Sequence, residues 1–101
     1  MGYGNLAKMA QQMQAEMARA EQELQALRVD GSAGGGAVRA TVTGKLDLVS
    51  VTIDPDVVDP ADVEMLQDLV VAAVGDALAQ ARRAGEERMA RVTGGLRLPG
   101  M

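Results

Sequence analysis

At 101 residues the chain is long enough for one small domain, and a core of that size is modest. Aromatics make up 1% of it, with one Tyr and no Phe or Trp, so Leu, Val, Met and Ala must fill the interior and oligomerisation is one way to extend it. Cys and His are absent, which excludes disulfides, thiolate metal sites and cysteine nucleophiles and removes the commonest general base; a net charge of −4 argues against a nucleic-acid binder unless the charge is unevenly placed.

It is unevenly placed. From Asp54 to Asp76 there are seven acids and no base, while Arg82, Arg83, Arg88, Arg91 and Arg97 face only Glu86 and Glu87. The start shows no basic, apolar leader, and no apolar run is long enough for a membrane span, so the expected setting is the cytosol.

Residues 5 to about 28 predict a helix, with Asn5 as N-cap and Ala, Gln, Met, Glu, Leu, Lys and Arg as good helix formers. Leu6, Ala10, Met13, Met17, Ala20, Leu24 and Leu27 step by four and three in a heptad seam. Such a seam either covers a sheet in its own subunit or meets another long helix. Met and Ala pack too loosely for a self-sufficient coiled coil.

Val29 and Asp30 can begin a short edge strand, which extends over Val29–Ala33 if the sheet has three strands. Gly31–Gly36 otherwise read as a glycine-rich hairpin loop, because the residues after them alternate as a strand and do not open the helix a phosphate cradle requires. Ala37–Thr43 alternates Val38, Ala40 and Val42 against Arg39, Thr41 and Thr43. Leu46–Ile53 is a further strand after the turn at Gly44-Lys45, and its apolar stretch Val49–Ile53 predicts the more buried position. These make an antiparallel meander of two strands, or three with Val29–Ala33.

Asp54-Pro55 ends the sheet. A second helix is expected over 59–91, with Asp59 as cap, Pro60 in its first turn and Asp62 beyond. Its stripe is Val63, Leu66, Leu69, Val70, Ala73, Val74, Ala77, Leu78 and Ala81, and Leu69–Val74 is apolar on nearly all sides. A helix apolar all round is buried on more than one side, which points to a partner subunit beside the core, with Leu66, Leu69, Val70, Ala73 and Val74 as the dimer and core residues. Beyond Ala81 the stripe thins and the helix projects. The whole is one domain over 1–101, with 1–4 and 93–101 as flexible ends.

No catalytic constellation is present. Asp54, Asp56 and Asp59 lack the register of a calcium loop and are explained by strand termination and capping. Ser32 and Ser50 have no His partner. No cofactor, metal or small-molecule substrate is expected. The arginines allow two readings: a solvated helix end paired as Glu87–Arg91 and Glu86–Arg82, or a basic prong for phosphates.

Several blocks resemble one family. They are Val51-Thr52-Ile53-Asp54-Pro55, the run Glu64–Ala77, the opening Gly4-Asn5-Leu6 with Lys8 and Gln11-Gln12-Met13-Gln14, and the closing Thr93-Gly94-Gly95-Leu96-Arg97-Leu98-Pro99-Gly100. In this order, along nearly the whole chain, they resemble the YbaB/EbfC family of bacterial nucleoid-associated DNA-binding proteins. Gly75 stands where that family usually has Asn, and Ala7 where Met is common. The resemblance implies an α+β subunit of order α-β-β-β-α, with an antiparallel three-stranded sheet and two long helices, in a tweezer-like homodimer. It implies a non-enzymatic function: binding double-stranded DNA, mainly at phosphates, and organising the nucleoid or modulating transcription in the cytoplasm. The residues expected at DNA are Lys8, Arg19, Arg82, Arg83, Arg88 and Arg91. The rival expectation is a protein-interaction module acting with DNA-repair or recombination proteins.

Overall fold

The computed structural model describes residues 2–94. Helix α1 (Gly2–Ala26) leads into strands β1 (Arg28–Ala33), β2 (Val38–Thr43) and β3 (Leu48–Ile53). A short 3-10 turn (Pro55–Val57) then precedes helix α2 (Val63–Gly94). The sheet is antiparallel throughout, in the order β1-β2-β3. The α+β subunit of order α-β-β-β-α is therefore as expected.

Several boundaries differ from expectation, each for a local reason. Helix α1 takes in Gly2–Asn5, so Asn5 is not its cap. It stops at Ala26, and Arg28, expected in the helix, opens β1 while its guanidinium donates to the Gln25 carbonyl at 2.9 Å. Helix α2 is capped by Asp62, whose Oδ1 accepts from the Met65 N–H at 3.2 Å. Asp59 instead accepts from Ala61 N–H, holding Pro60 in a separate turn. Strand β3 starts at Leu48 because Leu46 adopts φ 70° and the Thr43 hydroxyl accepts from the Lys45 and Asp47 N–H groups, folding residues 44–47 into a turn. Thr93 and Gly94 belong to α2; residues 95–101 of the expected flexible end lie outside the described residues.

The core is thin. Val38, Ala40 and Val42 of β2 are fully buried against Ala73, Ala77 and Ala81 of α2. Those alanines, four apart, share one helix face and let the backbones approach closely. Gly31 of β1 is the contact point: a Cβ there would lie 2.2 Å from the Ala77 nitrogen. Asp76 and Gln80 of α2 then bond the outer backbone of β1, Ser32 N–H donating to Asp76 Oδ2 at 3.0 Å and Gln80 Nε2 donating to the Asp30 carbonyl at 3.2 Å. This edge of the sheet is thereby closed.

The other edge is open. Strand β3, expected to be the more buried strand, is exposed along its length except for half-buried Ile53. The reason is the placement of α2, which lies over β1 and β2. Val63 is likewise exposed, whereas Leu66, Leu69, Val70, Val74 and Leu78 pack against the rim of the core. A register shift at Thr41/Val42 pairs Val42 with Leu48, so Leu48, Val51 and Ile53 continue the face of Val42, Ala40 and Val38; Ile53 packs at the core's rim while Leu48 and Val51 stay exposed.

Both helices leave the sheet at the Gly44 end. Gly44 N–H donates to the Leu24 carbonyl at 2.9 Å, and a Cβ on Gly44 would meet that oxygen at 2.7 Å. The acids Asp54, Asp56, Asp59, Asp62 and Glu64 come after the opposite end of β3. The molecule extends 72 Å along its longest axis.

Candidate nucleic-acid interface

The projecting helices form a prong in which α1 runs antiparallel to the C-terminal half of α2. Leu24 sits on Gly44, and Glu23 meets Arg88 one turn farther along α2. Ala20 is the first buried residue of α1 among the described side chains, and Val92 the last of α2. Beyond Glu23, α1 continues for about 30 Å, whereas α2 continues from Arg88 to Gly94 for about 9 Å. The outer part of the prong is therefore α1 alone, as far as residue 94.

The charges divide into engaged and free groups. Arg88 Nε donates to Glu23 Oε2 at 2.6 Å and its Nη2 to Oε1 at 3.3 Å, and only 13% of the Arg88 side chain remains exposed. The hydrogen bond from Arg88 holds the Glu23 carboxyl below its ordinary value, aided by the charges of Arg88, Arg91 and Arg19, while burial opposes it. The same contact pushes Arg88 up, with burial again opposing. Arg19 pairs with Glu16 at 3.0 Å on the surface. Arg82, Arg83 and Arg91 have no ion pair within 4.0 Å among the described residues. The expected Glu87–Arg91 and Glu86–Arg82 pairs are thus not formed; the glutamate that is engaged lies on the other helix.

Helical periodicity places the free cations. Arg82 and Arg83 project from the flank of α2 turned away from buried Ala81 and half-buried Arg88. Arg91 lines the open cleft between the helices with Glu23, Glu87 and Ala90. Lys8 and Arg19, eleven residues apart, fall about 20° from each other around α1 and about 16 Å apart along it. The structure thus puts Lys8 and Arg19 on one face, Arg82 and Arg83 on another, and withdraws Arg88 into the helix junction. Sequence reasoning missed Glu23, for which the only signal was its place beside the heptad seam.

The prong is close to balanced: Lys8, Arg19, Arg82, Arg83, Arg88 and Arg91 against Glu16, Glu21, Glu23, Glu86 and Glu87. Among the described residues there is no group of three or more His, Cys, Asp or Glu able to hold a metal ion, and no helix long and apolar enough to cross a membrane.

The described residues form a small α+β subunit with a charged two-helix prong standing off its sheet. The signature of the YbaB/EbfC DNA-binding family matches residues 1–96, and the chain belongs to that family. Membership also makes it a non-enzymatic protein. A nucleoid-associated protein of Moorella thermoacetica is 52% identical over 103 residues, covering 99% of each chain. One from Chloroflexus aurantiacus is 50% identical over 97 residues, covering 96% of this chain and 97% of its own. The fold is shared with the crystal structure of an uncharacterised protein from Helicobacter pylori, at a TM-score of 0.69 and 23% identity, over 95% of this chain and 97% of that one.

Proposed function

We propose that the protein acts as a homodimer that binds double-stranded DNA mainly at phosphates and, at the nucleoid within the cytoplasm, organises the DNA or modulates its transcription. Unpaired Arg82, Arg83 and Arg91 on the prong of a family defined by DNA binding carry this reading. Flexible guanidiniums without protein partners are free to replace the counterions of a duplex. Lys8 and Arg19 extend the contact along α1. Arg88 contributes chiefly by holding α1 against α2.

The dimer reading rests on uncovered apolar surface. Asp76 and Gln80 face β1, so Val71, Val74 and Leu78 lie on the opposite flank of α2, toward β3. There Val71 is 71% exposed, Leu48 53% and Val51 36%. Large exposed apolar side chains gathered on one side of a subunit are what an interaction site needs. A second copy related by a two-fold axis covers it with its own patch, and Leu66, Leu69, Val70 and Val74 back it up.

Gel-shift titration of random and defined duplexes over a range of salt concentrations tests the function. Binding that weakens log-linearly with salt and depends little on sequence is expected, and a protein that leaves DNA unshifted at low salt would end the proposal. The near-balanced charge of the prong and its exposed methionines favour the second reading, a docking module for DNA-repair or recombination proteins. A complex that survives nuclease and high salt would support that alternative.

A further inference from the structure

Opposite its buried side, α1 carries a second pattern. Relative to Lys8, Arg19 falls about 20° round the helix, Ala15 about 20° the other way, Gln12 about 40° and Gln11 about 60°. All five are exposed. Buried Ala20 and Leu24 lie about 120° and 160° from Lys8, so α2 packs on the far side and leaves this face open among the described residues. Glu16 is the one acid between Lys8 and Arg19, and Arg19 holds it at 3.0 Å. The face thus has a cation at each end, about 16 Å apart, with two amides and a methyl group between them. We propose that this face of α1 enters the major groove of duplex DNA, with Gln11 and Gln12 hydrogen-bonded to base edges and Lys8 and Arg19 on the flanking phosphates. The proposal rests on the DNA-binding reading above and adds the groove and the residues that touch bases.

Size and residue order select this occupant. A helix with its side chains is about 10–12 Å across, which matches a major groove about 12 Å wide and exceeds a minor groove of about 6 Å. The groove winds round the duplex while α1 runs straight, so the middle of the face comes nearest the bases and its ends stand off toward the two backbones. The residues follow that order, with Ala15 and the amides in the middle and long cationic side chains at the ends. A carboxamide suits adenine, whose N7 accepts and whose N6 donates, and the Ala15 methyl suits the thymine methyl. Lys8 has no ion pair within 4.0 Å among the described residues, and the exposed Arg19–Glu16 bond is weak enough to exchange for phosphate. The uncharged middle offers phosphate nothing in charge, so its use is at the bases. It adds a small preference for A·T pairs to an affinity set by the backbone.

Gel shifts of the full chain on one A·T-containing sequence in three forms test the proposal. The forms are the plain duplex, one with 7-deazaadenine, which lacks the N7 acceptor, and one with glucosylated hydroxymethylcytosine, which fills the major groove. The plain duplex should bind best, the deaza form a few-fold more weakly, and the glucosylated form about tenfold more weakly or worse. Netropsin, a minor-groove ligand, should leave the shift in place. The double variant Gln11→Ala, Gln12→Ala keeps the helix, since alanine is the better helix former. It should bind the plain and deaza duplexes equally, with an unchanged salt slope because no phosphate contact is lost. Three forms bound alike would leave α1 on the backbone and overturn the proposal. Displacement by netropsin would place the contact in the minor groove, and discrimination that survives in the double variant would place base reading elsewhere on the chain; either also overturns it. A wild-type chain that shifts none of the three at low salt would instead refute the DNA-binding reading.

Discussion

Arg88 grips both carboxylate oxygens of Glu23, 65 residues away, and this contact bridges the two helices of the prong. Because the Arg88 hydrogen bond and neighbouring guanidinium charges lower the Glu23 carboxyl, the pair stabilises helix docking above the ordinary value of 4.5 and loses that contribution as pH falls through the lowered value. Wild-type protein should keep α1 docked from neutral pH down to about 4.5 and loosen below it. Glu23→Gln should dock more weakly at neutral pH and show no such step. Amide exchange at residues 20–26 against pH reads both outcomes, and an identical acid transition in the two proteins would refute the role of the pair.

The same ion pair separates Arg88 from the other arginines in DNA binding. Arg82→Ala and Arg83→Ala should each flatten the salt dependence by about 0.9 for every phosphate no longer neutralised, with the subunit otherwise unchanged. Arg88→Gln should lower affinity with a smaller change in slope and faster amide exchange in α1. Equal slope changes for all three would show Arg88 at phosphate directly.

Gly31 has no room for a side chain. Gly31→Ala drives a methyl group into the backbone of α2 at Ala73 and Ala77 and should cost about 2–3 kcal/mol or more. On a domain of this size that lowers the melting temperature by about 10 °C or more. Gly75 is the control: a Cβ there meets nothing within 4 Å in the subunit, and Gly75→Ala should gain up to about 1 kcal/mol of helix propensity. Thermal melts of the two variants, run side by side, check both signs.

Leu69 and Val71 sit two residues apart with different tasks. Leu69 packs over the Gly34 loop and the rim of the core, while Val71 points outward. Leu69→Asp should unfold the subunit, because it puts a charge against apolar surface at a cost of about 3 kcal/mol or more. Val71→Asp should leave the subunit fold intact and abolish the dimer. Light scattering with circular dichroism distinguishes them; a native dimer from Val71→Asp would remove that flank from the interface.

The order of elements was legible because each carries its own period: Val38, Ala40 and Val42 by twos, the α2 stripe by threes and fours. Burial of β3 was not, since Val49–Ile53 is apolar whether its cover comes from the same chain or from another. Capping went to Asp59 in sequence because Asp-Pro is the stronger local signal, yet the Pro60 turn delays the helix until Asp62 can accept from Met65. In the prong, the excess of arginine was visible, but whether Glu86 pairs with Arg82 was not, because the helical spacing permits that pair without requiring it. The withdrawal of Arg88 was not, because its partner is remote in sequence and comes near only once Gly44 seats Leu24.

The separation of acids from the prong has a consequence for DNA dressed in this protein. Asp54, Asp56, Asp59, Asp62 and Glu64 lie at the end remote from the arginines, on a body 72 Å long. If the prong binds DNA as proposed, each subunit would cover phosphate and display carboxylate in its place. DNA covered in that way would keep an anionic exterior, repel its neighbours, and resist the collapse that plain neutralisation of a polyanion brings.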